Sequence, residues 1–245
     1  MELNGRVAVV TGAAAGIGEA IAVRLGAEGV AVVVADLDRA GAEATAERIQ
    51  RAGGRSLATE VDVADADDVA AMAVLVEAAL GTVDILVNNA GGVEGPGFPD
   101  APGETWYRTL DVNLRGTMLC IQAFLPALAE GGGVVLNVAS VAALGQQPHD
   151  LPEYAAAKAA VVRLTTALAV PGIRVACICP DIVDTPASRR TRAAMTPQQL
   201  RELPPVLEPS EIADLVVGLI RDDSAAGLVV ECTGGQTPRR LDLDR

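Results

Sequence analysis

The sequence contains very few lysine, histidine and tyrosine residues. Lys158 is the only lysine among 19 basic residues, His149 is the only histidine, and Tyr107 and Tyr154 are the only tyrosines. Because arginine supplies every other basic side chain, the single lysine indicates a position that needs a compact ammonium rather than positive charge alone. It lies four residues after Tyr154, in the stretch EYAAAK.

Positive charge is also scarce overall. The formal net charge is −13 and the isoelectric point is about 4.5. A nucleic-acid surface needs clustered basic residues, so this balance predicts no nucleic-acid partner. The one basic cluster, Arg189, Arg190 and Arg192, is interpreted as a solvated helix face.

Neither a signal peptide nor paired cysteines are expected from the sequence. The amino end runs into an apolar strand without a charged leader, and no stretch of about 18 uninterrupted apolar residues suggests a membrane span. We therefore expect a cytoplasmic protein with no membrane partner. The four cysteines lack CxxC spacing, which favours reduced core residues over a metal site or disulfides: Cys120, Cys177, Cys179 and Cys232.

Short β-branched runs alternate with longer alanine-rich segments along the chain. The runs are RVAVV, GVAVVVA, SLATEV, VDILV, GVVLNV, GIRVACI and LVVECT. Helices are predicted to begin near Gly16, Asp38, Asp65, Glu104, Pro152 and Pro209, with a further helical piece between Ala187 and Leu203. Strands that are apolar throughout are typical of a parallel sheet covered on both faces. The pattern predicts a single doubly wound (Rossmann) α/β domain over residues 1–245, with a parallel seven-stranded sheet.

The first predicted strand leads into the glycine-rich turn TGAAAGIGEA, Thr11 to Ala20. Glycines at 12, 16 and 18 would let backbone N–H groups and a helix amino terminus approach a pyrophosphate. A turn of this kind can also be purely structural. The spacing is GxxxGxG rather than the commoner GxGxxG.

An acidic residue ends the second predicted strand. Asp36 lies where a carboxylate accepts hydrogen bonds from an adenosine ribose and repels a 2′-phosphate, which predicts NAD rather than NADP. Neither Leu37 nor the alanines of the glycine turn supplies a compensating cation. Asp62 and Val63 follow the third strand and are expected to contact adenine. The alternatives are that Asp36 only caps the next helix and that Asp62 is ordinary turn chemistry.

Tyr154 and Lys158 are four residues apart, so a helix places them on one face, and the alanines between them keep that face open. A free tyrosine has a pKa near ~10 and is a poor base at neutral pH. An ammonium at roughly 5 Å would stabilise the phenolate by about 3 kcal/mol. The pair predicts general acid–base chemistry, the alternative being a surface lysine beside a packing tyrosine.

Several ordered motifs resemble the short-chain dehydrogenase/reductase family over nearly the whole chain. They are TGAAAGIG, NNAG at Asn88 to Gly91, DVN at Asp111 to Asn113, then Ser140, Tyr154 and Lys158, and the closing TGGQ. The resemblance implies a catalytic set in which Asn113 holds a water, Ser140 orients the substrate oxygen and Tyr154 transfers the proton. Lys158 would hold the nicotinamide ribose and lower the tyrosine pKa.

The resemblance also implies an NAD site and no metal. Asn88 would line the cofactor channel beside the motif residues that follow it, and Thr185 would contact the carboxamide. The expected cofactor-binding residues are Gly12, Gly16, Ile17, Gly18, Asp36, Leu37, Asp62, Val63, Asn89, Ala90, Gly91, Tyr154, Lys158, Pro180, Asp181, Val183 and Thr185.

Three departures from the family pattern stand out. The loop between Ser140 and Tyr154 is one residue longer than usual. The helix after Lys158 ends about one turn early, which weakens the homodimer or homotetramer that the resemblance implies. Asp181 stands where the family commonly has glycine, and its carboxylate is expected to favour the cationic NAD⁺ ring over NADH.

These features predict an oxidoreductase that transfers a hydride between NAD(H) and a secondary alcohol or ketone. The substrate walls would be the segment after Gly91, the loop from Gln146 to Leu151, and a lid over residues 185–207. One alternative is a non-catalytic NAD-binding or regulatory protein of the same fold. Another is a serine hydrolase using Ser140 and His149, although VASVA lacks a GxSxG elbow.

Overall fold

The computed structural model describes residues 1–93, 96–145 and 148–242. Gln146, named above as part of a substrate wall, lies outside this part of the chain. The described strands form one sheet with the order β3-β2-β1-β4-β5-β6-β7-β8. They are β1 Val7–Thr11, β2 Ala31–Asp36, β3 Arg55–Glu60, β4 Ile85–Asn88, β5 Val134–Val138, β6 Arg174–Pro180, β7 Val229–Cys232 and β8 Arg239–Arg240.

The first seven strands pair in parallel, as predicted. The eighth, β8, was not predicted and pairs antiparallel with β7. It consists of two exposed arginines, so it carries none of the apolar patterning that identifies the other strands. Arg239 forms an ion pair with Glu231 of β7, and Arg240 forms one with Asp222, which fixes the strand at the sheet edge.

Helices cover both faces of the sheet, which confirms the doubly wound prediction. On one face α1 packs against α2 and α9, and on the other α3 packs against α5. The described helices are α1 Gly16–Ala27, α2 Arg39–Arg51, α3 Ala66–Leu80, α4 Gly103–Leu110, α5 Gly116–Gly131, α6 Pro152–Ala167, α7 Pro186–Ala193, α8 Pro197–Glu202 and α9 Pro209–Arg221. A π-helical turn, Asp111–Arg115, joins α4 to α5.

Aspartates start two of these helices where the sequence predicts. Asp38 precedes α2 and its side chain accepts a hydrogen bond from the Gly41 N–H group. Asp65 precedes α3 and accepts from the N–H groups of Asp67 and Asp68. Each carboxylate satisfies backbone donors that have no partner within the first helical turn.

A buried chain of side-chain hydrogen bonds ties α6 to the sheet. Asn88 of β4 donates to Asn137 of β5 at 2.9 Å, and Asn137 donates to the Thr165 hydroxyl of α6 at 2.9 Å. Thr165 in turn donates to the Val161 carbonyl at 2.9 Å. Because buried polar groups are costly to leave unpaired, this chain fixes how α6 lies across β4 and β5.

The continuous helical stretch Gly103–Gly131 has the length and mean hydropathy, 1.2, of a membrane-crossing helix. In this fold one face of the stretch is buried, since Cys120, Phe124 and Leu128 pack against the sheet. All four cysteines are buried and free, so they are core residues as expected.

The predicted helical piece between Ala187 and Leu203 is two short helices rather than one. Thr185 and Thr196 cap α7 and α8, and each is followed by a proline at the first helical position. Pro197 cannot extend α7, so the chain ends one helix and starts another. Arg189 and Arg190 are exposed, as expected for a solvated helix face, and Arg189 and Arg192 also form ion pairs with Asp184.

Candidate active site

The site lies at the carboxyl ends of the parallel strands, where open α/β sheets bind ligands. The sheet order places β1 between β2 and β4, so the chain leaves β1 toward one side of the sheet and β4 toward the other. The predicted glycine turn follows β1 and the NNAG motif ends β4. The two motifs, separated by about 75 residues in the sequence, therefore lie side by side.

The glycine turn is built around backbone that a side chain would obstruct. Gly12 and Gly16 have φ angles of +65° and +64°, in the left-handed region that favours glycine. A Cβ on Gly18 would lie 2.2 Å from the Gly12 carbonyl oxygen. The turn therefore requires glycine at these positions, and Ile17 between them packs against the core.

This turn fits the pyrophosphate of a dinucleotide. The residue before α1 is Ala15, whose side chain cannot cap the helix, so the first N–H groups of a 12-residue helix have no side-chain acceptor. A helix amino terminus framed by glycine backbone is a favourable environment for phosphate oxygens. A nicotinamide dinucleotide would be held here by α1 and its preceding turn.

Asp36 lies at the end of β2 and holds two backbone groups. It accepts hydrogen bonds from the N–H groups of Ala14 at 2.8 Å and Asp38 at 2.9 Å. A carboxylate offers about four acceptor positions, so these bonds leave capacity for a ribose hydroxyl. Leu37 beside it is 60% exposed.

The two residues expected to meet adenine differ from each other. Asp62 pairs with Arg108 at 2.8 Å and accepts from the Ala64 N–H group, so turn chemistry and an ion pair occupy its carboxylate. The Val63 side chain is buried and lies against Gly116 of α5.

The loop after β4 is fastened to the glycine turn. The Asn89 side chain donates to the carbonyls of Thr11 and Gly12, both at 2.9 Å, and the Ala90 N–H group donates to the Thr11 hydroxyl at 3.0 Å. Asn88 differs from expectation, because its side chain points into the core toward Asn137 instead of lining a channel. Thr11, which the sequence analysis did not select, is the residue that joins the two motifs.

Asn113 lies in the π-helical turn and is fully buried. Its side chain donates to the carbonyls of Gly92 at 2.6 Å and Thr109 at 2.9 Å, and accepts from the Gly92 N–H group at 3.2 Å. A π turn leaves a helical carbonyl without its usual partner and occurs often at functional sites. It turns Asn113 toward the loop that carries Gly91.

Lys158 is buried next to this loop, with only 4% of its surface exposed. Its ammonium donates to the Val138 carbonyl at 3.0 Å and lies 5.7 Å from the centre of the Tyr154 ring. A Cβ on Gly91 would come within 3.0 Å of this nitrogen, so glycine is needed to make room for it. Burial lowers the pKa of Lys158 to about 8.

Ser140 lies beside Tyr154. Burial raises the pKa of Tyr154, and the hydrogen bond with Ser140 opposes that rise without cancelling it. That Lys158 and a bound NAD⁺ together lower the Tyr154 pKa stays a prediction, because desolvation of the phenolate is the largest effect of the protein groups alone. Ser140 also accepts from the Ala142 N–H group at 3.2 Å, which starts a short 3₁₀ turn.

The segment after β6 closes one side of the site. Pro180 ends β6, and the Asp181 carboxylate accepts from the Ile182 N–H group at 2.9 Å. Burial raises the pKa of Asp181, and the nearby Glu231 raises it further. Val183 is buried and bridges to Leu207 at the base of the lid.

Thr185 meets the glycine turn directly. Its side chain lies about 3 Å from where a Cβ on Gly16 would stand. The structure thus brings the lid entrance against the helix that would hold the pyrophosphate.

His149 is exposed and accepts a hydrogen bond from the Leu151 N–H group at 3.0 Å. Its ring centre is 6.4 Å from that of Tyr154. The bonds described for Ser140 go to Tyr154 and Ala142, so no serine–histidine pair forms among the described residues. This geometry disfavours the hydrolase alternative.

Comparison with known proteins agrees with this geometry. The family model for short chain dehydrogenase matches residues 6–196. The chain belongs to the short-chain dehydrogenase family. It is therefore an oxidoreductase of a family that uses a nicotinamide cofactor.

Three similar proteins illustrate the range of this family. Cis-4-hydroxycyclohexanecarboxylate dehydrogenase of Sinomonas cyclohexanicum is 37% identical over 95% of this chain and 96% of its own length. The crystallised 7α-hydroxysteroid dehydrogenase with NADH and 7-oxo glycochenodeoxycholic acid has a TM-score of 0.87 and 31% identity, covering 98% of this chain and 97% of that one. A variant of actinorhodin polyketide ketoreductase with NADPH has a TM-score of 0.86 and 31% identity, covering 94% and 96%.

The lowered pKa of Lys158 predicts a specific effect of pH on stability. Between pH 8 and about 10.5 the unfolded chain keeps a proton on Lys158 that the folded protein has released, so folding is increasingly favoured as pH rises. Relative to Lys158→Met, wild type should gain up to about 3 kcal/mol over this window. Urea unfolding of both proteins at several pH values measures the gain, and a constant difference would contradict the burial described for this ammonium.

Proposed function

We propose that this short-chain dehydrogenase is an NAD-dependent enzyme that interconverts a secondary alcohol and its ketone. The observation that supports this most directly is the Lys158 ammonium, 5.7 Å from the Tyr154 ring and packed beside Gly91. A positive charge is costly to bury without a purpose, and here it lies next to a phenol at the end of the cofactor loop.

Each side chain of the proposed catalytic set has a separate role in the reaction. In oxidation Tyr154 takes the hydroxyl proton of the alcohol, while Ser140, already bonded to Tyr154, also bonds the substrate oxygen and keeps it within reach. When it is charged, Lys158 favours the phenolate form of Tyr154, which works against the effect of burial. A nicotinamide bound beside this pair supplies the acceptor for the hydride. Asn113 holds the loop that carries Gly91 and Gly92, which keeps the site in shape.

Asp36 supports NAD over NADP. Its carboxylate lies at the end of β2 beside the glycine turn, where it would accept a ribose hydroxyl and repel a 2′-phosphate. Similar solved proteins carry NADH in one case and NADPH in another, so the preference rests on this chain's own residue.

The names of similar proteins support an alcohol or ketone substrate, since they include a hydroxycyclohexanecarboxylate dehydrogenase and a hydroxysteroid dehydrogenase. We extend to this chain only the shared chemistry, a hydroxyl on a ring carbon or similar secondary position. The proposal includes a cytoplasmic homodimer or homotetramer without nucleic-acid or membrane partners. The helix α6 does end at Ala167, as early as the sequence predicted.

Removing the phenol tests catalysis directly. Tyr154→Phe should lower kcat for secondary alcohols by at least about 100-fold, because no other described group is placed to take the proton. NAD should still bind, because the tyrosine ring is kept and only its hydroxyl is lost, so the NAD Kd is the control for an intact fold. NADH absorbance follows the reaction. Wild type that binds NAD but turns over no alcohol or ketone would support the non-catalytic alternative.

Replacing Asp36 tests cofactor choice. Asp36→Asn removes the charge and leaves an oxygen for one of the two N–H groups, those of Ala14 and Asp38, that the carboxylate binds. It should reduce the preference for NAD over NADP by about tenfold or more. Asp65→Asn is a matched control, since Asp65 caps α3 in a similar way away from the cofactor turn. A wild-type preference for NADP, or an unchanged ratio in Asp36→Asn, would contradict the role given to this residue.

Replacing Asp181 tests its expected effect on the nicotinamide. A carboxylate here should bind the cationic NAD⁺ ring better than NADH, so Asp181→Asn should lower the relative affinity for NAD⁺ by about threefold to tenfold. Kd values for both forms, from titration of each protein, measure the ratio. Equal ratios in the two proteins would remove this role from Asp181.

A further inference from the structure

Glu153 is a buried acid that the chemistry above does not use. It precedes Tyr154 in the first turn of α6 and is only 6% exposed. One carboxylate oxygen accepts a hydrogen bond from the Phe98 N–H group at 3.2 Å. The other oxygen is buried and has no hydrogen-bond partner among the described residues.

Burying such a carboxylate costs free energy. A carboxylate withdrawn from water is stabilised only by hydrogen bonds, a counter-charge or a helix amino terminus. Glu153 has the start of α6 and a single N–H donor, and no cation within the described residues forms an ion pair with it. Burying this carboxylate costs free energy, and Glu153 directly precedes the tyrosine proposed to transfer the proton. Its hydrogen bond to the Phe98 N–H group is therefore expected to have a function.

The bond joins one predicted substrate wall, the segment after Gly91, to the start of α6, which directly follows the other predicted wall. Gly97, in the segment after Gly91, packs so closely on the other wall that a Cβ would lie 2.7 Å from the Asp150 carbonyl and 2.9 Å from the Leu151 side chain. Phe98 follows Gly97 and is held by Glu153. The two walls therefore meet one residue away from Tyr154.

The clamped segment carries aromatic surface in a chain with five aromatic residues of the Phe, Trp and Tyr types. The Phe98 ring meets Trp106 edge to face at 6.1 Å between ring centres, and Trp106 stacks on Tyr107 at 3.9 Å. Phe98 and Tyr107 are 53% and 58% exposed. Three of the five aromatic rings thus form one accessible apolar patch beside the catalytic helix.

We propose that Glu153 is a positioning residue that holds Phe98 as an apolar wall of the substrate pocket, and that the substrate therefore carries an uncharged apolar substituent. This inference deepens the proposed function and rests on it. Because Glu153 directly precedes Tyr154, the bond ties the Phe98 backbone to the turn of α6 that carries Tyr154. An alkyl or alicyclic group of the alcohol would pack on Phe98 while its hydroxyl meets Ser140 and Tyr154.

Steady-state kinetics with cyclohexanol and 2-propanol separate this role from a general structural one. Glu153→Ala should raise KM for cyclohexanol by about tenfold, since it removes a charge-assisted bond, with kcat within about threefold and the NAD KM unchanged. Glu153→Gln keeps an oxygen for the Phe98 N–H group and should restore KM to within about threefold of wild type. 2-Propanol, which lacks a large apolar part, should be much less affected.

Two further variants serve as an independent test and as a control. Phe98→Ala removes the exposed ring itself and should reproduce the selective rise in cyclohexanol KM, even if Glu153→Ala fails to fold. Glu104→Ala removes the same residue type from the first turn of α4, where it is exposed, and should change nothing. An unchanged cyclohexanol to 2-propanol ratio in Phe98→Ala would overturn the proposal.

Trp106 gives a readout that does not need turnover, because it is the only tryptophan and contacts Phe98. In wild type with NAD, cyclohexanol should change the Trp106 emission in a saturable way, and Phe98→Ala should weaken that response at least threefold. A response without turnover would sink the proposed reaction but retain the apolar wall. Turnover of cyclohexanol with no emission change at saturation would sink the wall and retain the reaction.

Discussion

The structure around the proposed active site depends on the buried Lys158 ammonium. Burial lowers its pKa to about 8, so the protein holds a positive charge where water contributes little to its stability. One of its three donors goes to the Val138 carbonyl at the end of β5. The hydrogen bond from Asn137 to Thr165 joins β5 to α6. The segments of β5 and α6 that hold the Lys158 ammonium beside the Tyr154 ring therefore cannot separate without disturbing the core.

Neighbouring elements leave space for the Lys158 ammonium. Gly91 has no side chain because one would collide with Asn113 and the Lys158 nitrogen. The π turn places Asn113 against the same loop, and Thr11 fastens the loop to the glycine turn. A dinucleotide held at α1 would thus lie next to a phenol whose surroundings are fixed from three strands of the sheet.

The sequence predicted those features whose cause is local. Asp38 and Asp65 start helices because a short carboxylate side chain reaches its own backbone, and that chemistry is visible within four residues. The inward turn of Asn88 was not predictable, since its partner Asn137 is 49 positions away. Glu153 was missed for a related reason. An acid in a first helical turn normally faces water, and only the fold brings Phe98 over it.

Local and long-range contacts contribute differently to the cofactor half and the substrate half of the proposed site. The cofactor half is made of backbone, glycine and short side chains at strand ends, so its requirements are written in consecutive residues. The proposed substrate half would combine the lid with the segment before α4 and the start of α6, and the last two meet only through long-range contacts. The lid itself is tied at its base, where Asp184 binds two arginines of α7. Its anchoring does not depend on the clamp at Glu153, so substrate choice can change at Phe98 while the hydride and proton chemistry stays in place.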